Sequence, residues 1–316
     1  MKINVCLSTY NGEAFLSEQI KSILNQTYPD FTLLIRDDGS TDRTVELIKS
    51  YQAKDKRIEF INEEDIKNIG APRSFYELVR YEQADFYFFS DQDDVWKADK
   101  ISLFISEAQQ QNNSKPITYY SNFTTVNEEL RTIRQLAYPD KEQVTLEQNL
   151  VGNKIIGCSI MINNALARIW ELYDFDIDSS YHDSYLVLMA LSMGKLVFIN
   201  NSTILYRQHS HNLIGDKKKA SPLNSFWAMI YSSTVRAEDI SVKYQKYIVP
   251  DRKEIISDFY KLSFYSFFKR LFLVERHRYN RGNFKENLMV KVLLISQFHN
   301  QNKALATNLK KFKEKK

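Results

Sequence analysis

The stretch YFFSDQDDVW, residues 87–96, decides the fold. An apolar run typical of a buried strand ends in three carboxylates within four positions, namely Asp91, Asp93 and Asp94. Like charges this close repel one another, and each raises the free energy needed to ionise the next. The pattern therefore predicts a positively charged partner at the end of this strand.

Strand and helix patterns alternate along the residues that precede this stretch. Strand patterns lie at 3–10, 31–40, 57–64 and 84–91, and helical spacing of apolar residues lies at 13–26, 43–55 and 71–83. This alternation predicts an α/β fold with right-handed βαβ units and a parallel sheet. Ligands bind such a sheet beyond the carboxyl ends of its strands, which is where the polar clusters STYNG, DDGS and SDQDD fall.

Charge divides the chain into an acidic body and a basic, helical extension. Residues 217–316 hold 22 Lys and Arg against 8 Asp and Glu, a net charge of +14, whereas residues 1–216 have a net charge of −10. We therefore predict a first domain at 1–216 and a helical extension at 217–316, and we expect the two parts to meet different partners. Two interpretations of the extension stay open. Its aromatic helices pack as core on the domain or on a second subunit, or they face anionic lipid headgroups.

Other bulk features exclude several classes of protein. No run reaches the ~18 consecutive apolar residues of a membrane-spanning helix, and the first residues carry no secretory-signal pattern. Cys6 and Cys158 lie in apolar company, which favours core residues in a reducing cytoplasm over a disulfide or a metal site. An acidic body without a recognised module argues against nucleic-acid binding. We expect a cytoplasmic protein that is peripheral on the inner face of the cell membrane.

The D-x-D pair of Asp91 and Asp93 suggests a metal site. A hard divalent cation such as Mg²⁺ binds one or two carboxylates together with substrate phosphates, so this turn could hold a diphosphate that it would otherwise repel. The pair alone is weak evidence, because D-x-D is common by chance. A second acidic turn, Asp37–Asp38, follows another predicted strand and strengthens the interpretation, since a carboxylate there could accept hydrogen bonds from a base or ribose.

Four motifs resemble those of the family 2 glycosyltransferases with a GT-A fold. They are STYNG at 8–12, DDGSTDRT at 37–44, NIGAPRSF at 68–75 and FSDQDD at 89–94. The form SDQDDVW is most similar to the bacterial rhamnosyltransferase branch. The resemblance covers residues 1–216 and implies a Rossmann-like, mostly parallel sheet flanked by helices, with the helical extension outside the shared core.

The resemblance implies a set of nucleotide-sugar-binding residues. The first loop would line the nucleobase pocket, Asp37 or Asp38 would contact the base, and Asp91 would contact the ribose. Arg207 could pair with phosphate oxygens. The predicted set is Thr9, Tyr10, Asn11, Asp37, Asp38, Asn68, Gly70, Arg73, Asp91 and Arg207.

The resemblance also implies a metal and a base. Asp93 would ligate the Mn²⁺ or Mg²⁺ that bridges the diphosphate, and His209 is a second candidate ligand, although an ordinary loop residue is an equally open interpretation. His211 is expected to be a surface residue.

Asp183 in YHDSYLVLMAL is the implied catalytic base, and a helix N-cap would also suit it. His182 replaces an acidic residue of the family motif and is the next candidate for the base. Gly157, Asp94 and His182 are predicted on the acceptor side.

These expectations describe a metal-dependent, inverting glycosyltransferase. The branch implies dTDP-L-rhamnose as donor and a lipid-linked cell-wall or capsular polysaccharide as acceptor, with an anionic membrane surface and a homodimer as further partners. A UDP-sugar-dependent galactosyl- or N-acetylglucosaminyltransferase is the main alternative. A nucleotidyltransferase would carry a glycine-rich, basic loop that STYNGEAF lacks, and a non-catalytic nucleotide-sugar-binding scaffold would not need all the acidic positions.

Overall fold

The computed structural model describes residues 1–138, 144–172, 181–209, 222–281 and 284–296. The chain divides into two compact units, one from residues 1–143 and 155–217 and the other from residues 144–154 and 218–316. The boundary predicted at 216–217 lies outside the described residues, as does His211, so the boundary stays a prediction. Among the described helices, none is long and apolar enough to cross a membrane.

The first unit is built on a nine-stranded sheet. Its strands are β1 (Ile3–Thr9), β2 (Thr32–Asp37), β3 (Ile58–Phe60), β4 (Phe86–Ser90), β5 (Val95–Trp96), β6 (Ile117–Val126), β7 (Thr132–Arg134), β8 (Ile160–Asn163) and β9 (Lys195–Arg207). The helices of the described chain are α1 (Leu16–Leu24), α2 (Thr44–Gln52), α3 (Ala71–Tyr81), α4 (Lys100–Gln109), α5 (Leu146–Leu150), α6 (Asn164–Trp170), α7 (His182–Met193), α8 (Pro222–Lys243), α9 (Pro250–Lys261), α10 (Phe267–His277) and α11 (Phe284–Ile295).

The sheet is parallel in its first half and mixed in its second. The strand order is β3-β2-β1-β4-β8-β6-β9-β5, with β7 paired to β6. β3, β2, β1 and β4 run parallel, as the alternation of strands and helices predicts, whereas β8 is antiparallel to both β4 and β6. All five residues of β4 are buried, which is typical of a central strand covered on both faces. The opening stretch therefore emerges from the middle of the core.

The second unit is helical throughout its described residues, as predicted for the extension. It contains α5 and α8 to α11, with a short 3-10 turn at Leu262–Phe264. Its core includes Trp227, Ile256, Phe259 and Leu273, all buried. The segment 144–154 groups with this unit, although it precedes β8 in the chain.

Candidate active site

Three polar loops meet at one edge of the sheet. β2, β1 and β4 are neighbouring parallel strands, and their registers place Thr9 beside Asp37 and Leu7 beside Ser90. Their carboxyl ends therefore lead into residues 10–12, 38–40 and 91–94 at the same edge. This is the edge at which ligands bind in open α/β sheets.

The loop after β2 is organised around Asp37. The buried carboxylate accepts hydrogen bonds from the N–H groups of Gly39 (3.1 Å) and Ser40 (2.7 Å) and from the hydroxyls of Thr9 (2.7 Å) and Ser40 (2.6 Å). Four donors use the lone pairs of both oxygens. In this structure, Asp37 and Thr9 therefore shape the loop and do not face the open edge.

The loop after β1 is held by Gln92, the middle residue of the D-x-D motif. The side chain of Gln92 accepts from the N–H of Tyr10 (2.8 Å) and donates to its carbonyl (2.9 Å). The side-chain oxygen of Asn11 accepts from the N–H of Thr41 (2.8 Å), and the Asn11 N–H donates to Ser40 Oγ (2.8 Å). Tyr10 is 50% exposed and Asn11 is exposed as well, so a ligand can reach both residues of this loop.

Asp38 fixes the N-x-G segment against β2. Its buried carboxylate accepts from the guanidinium of Arg36 (2.9 Å) and from the N–H groups of Ile69 (2.7 Å) and Gly70 (3.0 Å). Gly70 has a φ of 82°, a conformation that favours glycine. The segment is thus shaped by a buried ion pair that the D-D-G-S motif alone does not reveal.

An open cleft of about 750 Å³ lies beside this segment. Lys67, Arg73 and Arg80 are among the residues that line it, and Arg73 is exposed. Asn68, also exposed, precedes Ile69 on the same wall. With Arg36, four cationic side chains line the cleft against the two carboxylates of Asp65 and Glu77, and this excess of positive charge suits an anionic ligand.

The carboxylates of Asp93 and Asp94 have different environments. Asp93 Oδ2 lies 2.8 Å from Nε2 of His209, and both side chains are largely buried. Asp94 is fully buried, and one of its oxygens accepts from the N–H of Arg207 (3.1 Å). The last residue of β9, Arg207, and His209 just after it are therefore brought directly against the opening stretch.

Asp91 lies close to two other acids. Withdrawal from water, together with the negative charges of Asp93 and Asp183, raises the pKa of Asp91 to about 7. The structure thus brings together the predicted ribose contact, metal ligand and base. This is the concentration of negative charge that the sequence predicts.

Lys100 supplies part of the predicted positive charge. Its side chain is fully buried, its Nζ donates to the carbonyl of Cys158 (2.6 Å), and the same atom lies 3.8 Å from the centre of the Trp96 ring. Burial lowers the pKa of Lys100 to about 7, and the charges of Asp94 and Asp91 act in the opposite direction. The carboxylates therefore have a resident cation behind them.

Arg207 supplies the second positive charge, in a way the sequence does not predict. The buried guanidinium donates from Nε to the carbonyl of Asp93 (2.9 Å), and its other nitrogens donate to the carbonyl of Glu128 and to the carboxylate of Glu18. It also lies 4.7 Å from the centre of the Phe15 ring. Because these groups hold it, Arg207 fixes the D-x-D turn in this structure, and its pairing with a phosphate stays a prediction.

Asp183 lies in the first turn of α7. The helix begins at His182 and its N-cap is Tyr181, so Asp183 is not the N-cap itself. A carboxylate in this turn is nevertheless stabilised by the helix dipole. Its effect on the pKa of Asp91 places its charge at the acidic edge.

The predicted acceptor-side residues Gly157, Asp94 and His182 are all buried. The ring of His182 lies 4.1 Å from that of Phe75 and 5.0 Å from that of Phe89, and burial lowers its pKa to about 3. A Cβ added at Gly157 would lie 2.7 Å from His182 Nε2, so glycine is needed there for close packing. Gly157 and His182 therefore pack directly against each other, and a neutral, enclosed His182 is poorly placed to act as a base.

The D-x-D turn offers side chains that could hold a divalent cation. Ligand atoms of Asp91, Asp94 and Cys158 lie within 4.8 Å of one another, but burial raises the pKa of the Cys158 thiol, and a protonated thiol is a poor ligand. Asp93 with His209 instead offers a carboxylate oxygen and an imidazole nitrogen. Carboxylate oxygens suit Mg²⁺ and Mn²⁺.

Three contributors to the site, Gln92, Lys100 and Glu18, are not predicted from the sequence. The D-x-D motif is defined by its two carboxylates, so it predicts no role for the Gln92 amide between them. The burial of Lys100 could have been predicted from the sequence, because Lys100 lies on the apolar face of α4 together with Phe104 and Ala108. A lysine at such a position indicates a buried cation with acidic neighbours.

We expect Lys100→Met to lower the free energy of unfolding at pH 7 by about 3 kcal/mol, the scale of breaking a buried charge pair. Near this pH the lysine still carries charge, and part of the Asp91 carboxyl is ionised in spite of its raised pKa. The loss should shrink at pH 5 for two reasons. Protonated Asp91 and Asp94 no longer need a cation, and a lysine with a pKa of about 7 is fully charged there, so methionine removes the cost of burying that charge.

Guanidinium denaturation at pH 5 and pH 7 measures this effect. Lys97→Met, at an exposed position, is the matched control, and an equal loss at both pH values would contradict the electrostatic explanation.

Comparisons with known proteins agree with this geometry. The model of glycosyl transferase family 2 matches residues 4–170. The dTDP-rhamnosyl transferase RfbG of Shigella flexneri is 32% identical over 224 residues, which are 66% of this chain and 73% of that protein. The UDP-Glc:alpha-D-GlcNAc-diphosphoundecaprenol beta-1,3-glucosyltransferase WfgD of Escherichia coli is 30% identical over 220 residues, which are 69% of this chain and 81% of that protein.

A solved structure supports the fold. The chain superposes on residues 1–349 of S. aureus TarS, solved in complex with UDP-GlcNAc, with a TM-score of 0.61 at 15% identity, covering 93% of this chain and 90% of that one. The predicted GT-A fold, with its helical C-terminal region, is thereby confirmed. The family match and the curated relatives likewise confirm a glycosyltransferase that uses a nucleotide sugar. The chain belongs to glycosyl transferase family 2.

Proposed function

We propose that this protein is a metal-dependent, inverting glycosyltransferase that moves L-rhamnose from dTDP-rhamnose to a saccharide acceptor. The observation that carries the proposal is the contact between Asp93 and His209 at the edge where β1, β2 and β4 end, with the charges of Asp91 and Asp183 close by. The choice of donor rests on the SDQDDVW motif and on the similarity to a protein named a dTDP-rhamnosyl transferase.

The nucleotide would bind along the sheet edge, between the Tyr10 ring and the cationic cleft. The exposed members of the predicted binding set, which can contact it directly, are Tyr10, Asn11, Asn68 and Arg73. Thr9 and Asp37 would act by holding their loop, and Asp38 by holding the N-x-G segment. Asp91 would accept a hydrogen bond from the ribose.

Asp93 would hold Mn²⁺ or Mg²⁺, with His209 beside it. A bound divalent cation neutralises the charge that develops on the leaving diphosphate. Arg207 would keep the turn of Asp93 in place through its hydrogen bond to the Asp93 carbonyl, and Lys100 would lower the cost of keeping the buried acids together.

Asp183 would act as the general base. In one step the acceptor hydroxyl oxygen forms a bond to the anomeric carbon, the bond from that carbon to the diphosphate oxygen breaks, and the hydroxyl proton passes to the Asp183 carboxylate. A single displacement inverts the configuration at the anomeric carbon. This parallels the logic of inverting glycosidases, in which attack comes from the face opposite the leaving group.

A UDP-sugar donor is the second candidate. The relative WfgD is named as a UDP-Glc-dependent enzyme, and TarS was solved with UDP-GlcNAc. Galactose, glucose or N-acetylglucosamine would then be the transferred sugar. A non-catalytic scaffold is the least favoured alternative, because it has no need for the Asp183 carboxylate near Asp91.

We propose a lipid-linked saccharide of cell-wall or capsular polysaccharide synthesis as acceptor, and a peripheral position on the inner face of the membrane. WfgD, at 30% identity, is named for a diphosphoundecaprenol acceptor. The predicted basic extension, with a net charge of +14, is suited to an anionic surface. A homodimer is retained as an alternative use of the extension.

A panel of nucleotide sugars tests the donor. The purified protein is incubated with dTDP-rhamnose and with UDP-glucose, UDP-galactose and UDP-N-acetylglucosamine, each with Mn²⁺, with Mg²⁺ and with EDTA. We expect release of the nucleoside diphosphate to be fastest with dTDP-rhamnose and to stop in EDTA. Faster release from a UDP sugar would select the second candidate, and no release from any donor, with or without a soluble acceptor, would favour the scaffold.

A further inference from the structure

Two helices of the second unit expose large apolar side chains. Around α10, Phe264 is 81% exposed, Phe268 80% and Phe272 57%. On α11, Phe284 is 82% exposed, Leu288 56% and Val292 53%. We call these six residues the apolar rows. Single exposed apolar residues are common on soluble proteins, but a set of this size marks a surface with a partner.

The apolar rows are not needed for the core of the unit. In α11, Phe284, Leu288 and Val292 follow one another at intervals of four, so they share one face of the helix. A different set, Val290, Leu293 and Leu294, is buried against the unit. In α10 the buried residues are Arg270, Leu273 and Val274. Each helix therefore has an inner face that packs and an outer face that is also apolar.

The surroundings of the apolar rows are basic. Residues 267–295 contain seven Lys and Arg against two Glu. Both glutamates are engaged, Glu275 with Lys291 at 2.6 Å and Glu286 with Arg281 at 3.0 Å. The remaining charge of these helices is therefore positive.

Lys269 and Lys285 lie among the apolar rows. Both are exposed. Lys269 Nζ lies 5.7 Å from the centre of the Phe272 ring, so a cation and aromatic rings share one surface. Arg270 differs from its neighbour, because it is buried and donates to the carbonyls of Ile295 (2.8 Å) and Tyr265 (2.5 Å). Lys269 is therefore the informative residue of this pair for a surface test, and Arg270 is structural.

The charge pattern favours a lipid surface over a second copy of the chain. A two-fold contact through the apolar rows would bring Lys269 and Lys285 of one copy close to the same cations of the other. In an anionic membrane, the Phe and Leu side chains can instead enter the boundary between headgroups and acyl chains, and the lysines can contact negative headgroups. Charge complementarity therefore selects the membrane.

We propose that the apolar rows, with Lys269 and Lys285, form a docking site for anionic membranes. The phenylalanines enter the region between headgroups and acyl chains, and the lysines remain at the headgroups. The biological role of this docking site rests on the proposed function, since membrane binding would keep the enzyme near a lipid-linked acceptor. Its evidence is independent, because none of these residues belongs to the catalytic unit.

Vesicle sedimentation tests the proposal with the full chain. The probes are vesicles of phosphatidylcholine alone and of phosphatidylcholine mixed with phosphatidylglycerol. We expect binding to the mixed vesicles, little binding to phosphatidylcholine alone, and release in 1 M salt, where the Debye length falls to about 3 Å.

The double variant Lys269→Glu with Lys285→Glu tests the contribution of the lysines. It should weaken binding at least about tenfold, since each cation near an anionic surface contributes on the order of 1 kcal/mol. The matched control, Lys54→Glu with Lys56→Glu, makes the same charge change at exposed positions of the first unit and should retain most of the binding.

The apolar contribution is tested separately. Phe264→Ser, Phe268→Ser and Phe284→Ser together should abolish binding to mixed vesicles, whereas Ile133→Ser, 59% exposed in the first unit, should not change it. Circular dichroism checks that the triple variant keeps its fold, and nucleoside diphosphate release in the absence of vesicles should stay at the wild-type rate.

Failure of the wild type to bind mixed vesicles would overturn the docking site while leaving the transferase proposal intact. A wild-type dimer that the triple variant converts to a monomer, without vesicle binding by either, would assign the apolar rows to a subunit interface and would also overturn the proposal.

Discussion

Asp93→Asn is expected to reduce the rate of nucleoside diphosphate release by about 100-fold or more. Loss of a residue that only hydrogen-bonds to a metal ligand typically costs about 10- to 100-fold, and loss of the ligand itself should cost more. Asn keeps the size of the side chain and one oxygen but removes the anionic charge that a hard cation prefers. It also replaces the carboxylate that contacts His209 at 2.8 Å. The initial rate with the best donor, measured at saturating Mn²⁺, gives the size of the loss.

Asp99→Asn is the matched control for this variant. Asp99 is exposed before α4, and its side chain makes no capping hydrogen bond to the helix. The same chemical change there should leave the rate within about twofold, as expected for a surface substitution. A normal rate for Asp93→Asn would contradict the assignment of the metal to this residue.

Asp183→Asn is expected to lower turnover by roughly 10²-fold or more while donor affinity changes little, because it removes a general base and leaves the nucleotide contacts in place. The helix that carries the residue should persist, since a carboxylate in the first turn contributes only about 0.3–1 kcal/mol through the helix dipole. Turnover with an acceptor and donor affinity should be measured on one preparation. This pairing separates loss of chemistry from loss of binding.

Asp30→Asn, on an exposed loop, controls for the charge change at Asp183. Turnover close to that of the wild type in Asp183→Asn would require another base. His182 would then be hard to invoke, because its ring is packed against Phe75 and Phe89 and burial lowers its pKa to about 3. A parallel loss of donor affinity and turnover would indicate that Asp183 acts in binding.

The parallel half of the sheet is predictable because its signals are local. Strands and helices alternate at regular intervals up to Asp91, and each polar loop follows an apolar run. The second half, with β8 antiparallel between β4 and β6, depends on long-range pairing that no short window records.

The chemistry of individual side chains is less predictable than their position. Asp37 and Asp38 lie at the predicted edge, yet their carboxylates are occupied by loop hydrogen bonds and by Arg36. Arg207 also lies where the sequence suggests, but Glu18 and Phe15, nearly two hundred residues earlier, hold its guanidinium. A motif identifies a residue type and its place on the chain. Which partner uses its hydrogen bonds is decided by tertiary contacts.

The partners of the three carboxylates in the opening stretch show the same limit. Lys100 could have been suspected from its place on the apolar face of α4. The sequence left two interpretations of His209 equally open, a metal ligand or an ordinary surface residue, because a polar loop after a strand usually carries surface residues. Its contact with Asp93 is seen only in the structure. The need for positive charge was predictable from the three carboxylates, but its sources were not.

Calorimetric titration of the wild-type protein with dTDP and with UDP, in Mn²⁺ and in EDTA, tests the central claim most directly. The account predicts that a nucleoside diphosphate binds with Mn²⁺ present, that EDTA weakens this binding at least about tenfold because the acidic edge then repels the diphosphate, and that Asp93→Asn abolishes the difference between the two conditions. Equal affinity in Mn²⁺ and EDTA, or an undiminished metal effect in Asp93→Asn, would contradict a metal-dependent site at Asp93.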